Sequence, residues 1–180
     1  MRVLLSLAPI LALASCVAPT APSRPAPIPV QRPVYTPPPR PAATPAAKGA
    51  DWRDWPVTPG DWVYRQDGRG SIALFGVRGA DATLTLRCDR AAGAVYLSRA
   101  GLATGPVPMT IRTSTLLRTL SAAPTGGTPP YLAVSIAPRE SLLDAMGFSR
   151  GRFIIEQPGY PTLVVPAWAE IERVTEDCRR

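Results

Sequence analysis

Proline placement constrains this chain before anything else does. Eleven of its 23 prolines lie between Val17 and Ala50, and each one fixes φ and removes a backbone donor. A stretch so rich in proline cannot pack a core or build a ladder. The compact part is therefore 51–180, a length that suits one domain. Histidine is absent from all 180 residues. That removes Ser-His-Asp and Cys-His nucleophilic sites, His-ligated zinc or iron, and His general bases. We expect neither a metal nor another cofactor.

The first 15 residues read as a targeting segment. Met1 and Arg2 supply a short positive start, Val3 to Leu13 is apolar, and small residues lead into Cys16. The apolar run is too short to span a bilayer. Leu13-Ala14-Ser15-Cys16 resembles the lipobox of bacterial lipoproteins, in which the cysteine is acylated and becomes the first residue after cleavage. The resemblance implies lipidation at Cys16 and a membrane attachment made by acyl chains. Val17 after the cysteine is similar to the default for outer-membrane sorting. The expected location is the periplasmic face of the outer membrane.

Of three cysteines, lipidation would use one, leaving Cys88 and Cys178 as an even pair in an oxidising compartment. We expect them to be joined. Residues 16–50 then form a lipidated, disordered tether of Pro, Ala, Thr and Ser with Arg24, Arg32, Arg40 and Lys48 and no acid. At about 3.1 Å per residue, its extended reach approaches roughly 100 Å. The basic pI of about 10.0 belongs largely to this tether. Residues 51–180 carry 15 arginines, no lysine and 13 acids, a net charge of +2. A nucleic-acid surface would cluster cations with stacking aromatics, so nucleic acid is not an expected partner.

Alternation and turn residues predict a mainly β domain, an antiparallel sandwich or partly open barrel of about eight short strands with two helices in the C-terminal third. The expected strands are Asp61 to Gln66, Ser71 to Val77, Ala82 to Cys88, Ala94 to Arg99, Val107 to Thr113, Tyr131 to Ala137, Arg152 to Gln157 and Thr162 to Val165. Leu84, Leu86 and Cys88 should face inward, opposite Thr83, Thr85 and Arg87. Pro124 to Pro130 reads as a long loop. Pro138-Arg139-Glu140 opens a helix in which Leu142, Leu143 and Met146 form an apolar stripe, with Gly147 expected as its left-handed cap. A second helix starts near Pro166 and turns Trp168, Ile171 and Val174 to one face, with Cys178 a turn beyond.

Candidate chemistry is sparse. Gly147-Phe148-Ser149-Arg150-Gly151 fits the Gly-x-Ser-x-Gly pattern, but the order helix, serine, strand is the reverse of a nucleophile elbow and no histidine is present. Ser149 is expected as a polar turn residue. Glu140, Asp144, Glu156, Glu170 and Glu172 include no spacing that singles out a pair for glycoside cleavage. Trp52, Trp55 and Trp62 sit where the tether meets the domain. They either dock the tether's end and fill the core or form a platform that stacks a sugar or peptide.

The run from Leu142 to Phe153, then Leu163 to Trp168 and Glu176-Asp177-Cys178-Arg179, resembles a group of uncharacterised alphaproteobacterial lipoproteins. More distantly, an exported β-sandwich with an inward cysteine and a helix ending in Gly-Phe is similar to the invasion-associated locus B family. That family is usually soluble and periplasmic, from which the lipobox and tether depart, and no catalytic motif carries over. The expectation is a membrane-anchored, non-enzymatic binding or structural module, with an envelope protein or cell-wall glycan as partner. The alternatives are an inhibitor of a cell-wall hydrolase and a carboxylate-dependent glycan enzyme.

Overall fold

The computed structural model describes residues 51–180. Cys16, the targeting segment and the tether lie outside the described residues. After a 3-10 turn at Trp52–Asp54 come β1 (Asp61–Asp67), β2 (Gly70–Gly76), β3 (Leu84–Asp89), β4 (Ala94–Ala100), β5 (Val107–Arg112), β6 (Leu117–Pro124) and β7 (Tyr131–Ile136). Helix α1 (Ser141–Gly147), β8 (Arg152–Glu156), β9 (Leu163–Pro166) and α2 (Ala169–Arg179) complete the chain. The fold is mainly β, with nine antiparallel strands in one sheet ordered β1-β2-β3-β4-β7-β6-β5-β8-β9.

The two ends of this order meet. Thr58, just before β1, donates its N–H to the Val164 carbonyl of β9, and the Val164 N–H returns to the Thr58 hydroxyl. The Trp62 indole of β1 donates to the Pro166 carbonyl at 2.9 Å. The sheet therefore curls into a partly closed barrel, which satisfies backbone groups that a free edge would expose.

β1 to β4 form a meander, turned by loops in which Gly79 and Gly93 take the positive φ that non-glycine residues avoid. Leu84, Leu86 and Cys88 of β3 are wholly buried, with Thr85 and Arg87 on the other face. One core gathers Phe75, Leu86, Leu97, Ile111, Val134 and Phe153 with Ile171 and Val174 of α2. A disulfide joins Cys88 to Cys178 and ties α2 across β1 to β4, where the helix also packs against α1.

Three expectations need correction. β6 was not anticipated: its inward positions are Arg118, Leu120 and Ala122, of which only Ala122 is fully buried, so the inward face carries little apolar signal. The strand exists because Leu117 to Ala122 pair with β5 while Ala123 and Pro124 pair with β7, joining the two halves of the sheet. Gly147 is the last residue of α1 and not a left-handed cap; in the turn from α1 to β8 the glycine with positive φ is Gly151. Gly147 instead lets Glu172 of α2 lie against its Cα, since a Cβ would fall 1.5 Å from Glu172 Oε1. Trp168 precedes α2 and is exposed, while Ile171 and Val174 form the buried face.

Candidate functional site

The expected tryptophans do not form one surface. Trp62 is buried, its ring centroid 5.3 Å from that of Phe75, so it is a core residue and no stacking platform. Trp52 and Trp55 are half-buried beside β8; Arg53 lies over the Trp52 ring and Arg152 donates to the Trp55 carbonyl. This places them as the anchor of the domain's first residues. Ser149 is also structural: its hydroxyl donates to the Arg152 carbonyl and accepts from the Ser114 N–H at 3.0 Å.

The concave site lies elsewhere, on the face of the sheet opposite the core. It is an open groove of about 1030 Å³ across β1, β2, β3, β4, β7 and β6. Two rows of cross-strand neighbours make its floor. One runs Arg65, Ile72, Arg87, Tyr96, Ser135; the other runs Leu74, Thr85, Ser98, Ala133, Ala123. With strands about 4.8 Å apart, each five-residue row spans roughly 19 Å. Small side chains at Ser98, Ala133, Ser135 and Ala123 keep the β4, β7 and β6 part of the floor low. Arg65 and Arg69 stand at one end, and Pro124, Thr125 and Pro129 of the loop before β7 stand at the other.

The charges are unevenly arranged. Arg87 makes a bidentate contact with Asp67, Nη2 to Oδ2 at 2.8 Å and Nη1 to Oδ1 at 3.1 Å. Those hydrogen bonds bring the Asp67 carboxyl down to about 2. Arg69 donates through Nε and Nη2 to Asp89, and this pairing, with the Ala92 N–H, lowers the Asp89 carboxyl. Arg65 is exposed and has no carboxylate partner among the described residues. At the opposite end stand Asp81 and Tyr131, whose phenol donates to the Ala82 carbonyl at 2.6 Å and is pushed up in pKa by burial and then by Asp81.

Sequence reading missed this groove because its lining comes from the outward positions of strands far apart in the chain. Only the strand register aligns Arg65 with Tyr96 and Ser135. The one available signal was the polar half of each alternating pattern, such as Thr85 and Arg87.

Among the described residues no group of three or more carboxylates or cysteines is placed to hold a metal, and no helix is long and apolar enough to cross a membrane. Comparison with protein-family models, curated proteins and solved structures returns no match.

Proposed function

We propose that this protein is a lipid-anchored envelope lipoprotein, held at the periplasmic face of the outer membrane through Cys16, that binds its ligand without transforming it. The observation that carries this reading is the open groove with its built floor. A volume of about 1030 Å³ is at the upper end for a small-molecule site and suits a segment of a chain. The groove's lining includes one carboxylate, Asp81, whereas glycoside cleavage uses two; this favours binding. Anchoring would raise the effective concentration at the membrane, so modest affinity suffices.

Two measurements test the reading. Palmitate labelling should be lost in Cys16→Ser. That unlipidated full chain should still co-sediment with isolated envelope material, and Ser135→Trp, which fills the groove without entering the core, should abolish co-sedimentation. Equal retention of the filled variant would contradict the reading.

A further inference from the structure

The groove's two ends carry opposite charge, and this limits what can lie along it. Arg65 and Arg69 occupy the end near the β1–β2 turn, and Arg87 stands beside them. Asp81 precedes β3 and marks the other end. Arg87 is six positions after Asp81, which is at most roughly 20 Å along an extended strand. Two of the three guanidiniums already hold carboxylates, so the unspent positive charge is that of Arg65. A uniform polyanion would meet Arg65 at one end and be repelled by Asp81 at the other. A ligand with one negative group at one end, and an uncharged body reaching the other, meets neither penalty.

The floor says what the uncharged body is made of. The backbone of these strands is spent on pairing with its neighbours, so an incoming peptide strand finds no main-chain partner on this face. Side-chain hydroxyls are what the floor offers. Ser98 lines the groove floor and brings a hydroxyl that can both donate to and accept from a ligand's hydroxyl. Thr85 and Ser135 add hydroxyls on either side, and the Tyr96 ring offers an amphipathic face of the kind that takes the C–H side of a sugar ring.

We infer that the groove binds an oligosaccharide carrying a single carboxylate at one end, with the carboxylate on Arg65 and the sugar rings over Tyr96 and Ser98. This deepens the binding reading above and rests on it. A free carboxylate meeting Arg65 gains a charge-assisted, bidentate pair, worth about tenfold or more in affinity against an uncharged group at the same place.

The test uses the full-length protein, purified from cells, and isothermal titration with four probes: a β-1,4-linked glucose tetrasaccharide ending in one glucuronic acid, the same tetrasaccharide with that carboxyl reduced to the alcohol, tetraglutamate, and hexametaphosphate. The expected result is binding of the first at least about tenfold tighter than each of the others. Arg65→Gln should bring the first two probes to equal affinity, while Arg150→Gln, a change at an exposed arginine outside the groove, should leave the ratio intact. Asp81→Asn should strengthen hexametaphosphate binding, because it removes the repulsion at the far end. Equal affinity for the acid and its reduced form, a preference for tetraglutamate or hexametaphosphate, or no binding of any probe would overturn the inference. If envelope co-sedimentation is still lost in Ser135→Trp, the groove remains a binding surface and only the ligand class has failed; if it is not lost, the binding reading fails as well.

Discussion

Replacing Cys88 and Cys178 with alanine tests how the fold is held. The bond spans a sequence separation of 90 residues. On chain-entropy grounds, closing a loop of that size removes about 15 cal/mol/K from the unfolded ensemble, or roughly 4 to 5 kcal/mol at 25 °C. For a domain of this size the unfolding entropy is near 270 cal/mol/K, so the melting temperature should fall by roughly 15 °C. Little of that loss should come from packing, because Ile171 and Val174 remain buried in the core and Tyr64 still donates to Asp177 at 2.5 Å. The assay is urea unfolding of the parent and the double variant followed by circular dichroism, with the parent repeated in reductant. The slope against urea should rise as the unfolded chain, freed of its cross-link, exposes more surface. A loss below about 1 kcal/mol with the slope unchanged would refute the reasoning and make the clamp redundant with the packing of α2.

Further outcomes follow from particular side chains. Arg99 is buried, donates Nη2 to the Pro161 carbonyl and lies over the Tyr160 ring, yet its Nε and Nη1 have no partner among the described residues; Arg99→Met should leave thermal stability unchanged or raise it, because the burial of the charge is not repaid. Glu172 has its carboxyl pushed up by burial and then by Asp144. Its proton therefore binds the folded state more tightly, so the parent gains stability as pH falls through that raised value towards the ordinary glutamate range. Glu172→Gln should accordingly raise the melting temperature at pH 7 and lose the advantage by pH 4, as followed by calorimetry. Ser149→Ala deletes a buried hydroxyl bonded to Ser114 and Arg152 and should cost about 1 to 3 kcal/mol in urea unfolding without changing envelope co-sedimentation.

Much of the architecture was legible because burial enforces a period. β3 alternates cleanly, so the inward face of Cys88 followed from Leu84 and Leu86, and the disulfide followed from the cysteine count. β6 was not legible, since Ala122 is its only fully buried residue, Leu120 is only half-buried against the core, and the strand is defined by its pairing with β5 and β7. Trp168 misled because its spacing from Ile171 suits a helix face, but α2 begins one residue later. The tryptophans drew the sequence reading towards the start of the domain, where Trp62 is core and Trp52 and Trp55 anchor the chain to β8. The groove stayed hidden for the reason that makes it a surface: outward residues are free of the period that burial imposes, and pairing alone brings them together.

The most direct measurement places a photo-reactive amino acid at Thr125, exposed at the groove's end, and, in a second strain, at Trp55, and irradiates intact cells. The account predicts a discrete adduct from Thr125 that weakens when Arg65→Gln is added, and none from Trp55. An adduct from Trp55 alone, or none from Thr125 with the protein folded and acylated, would contradict it.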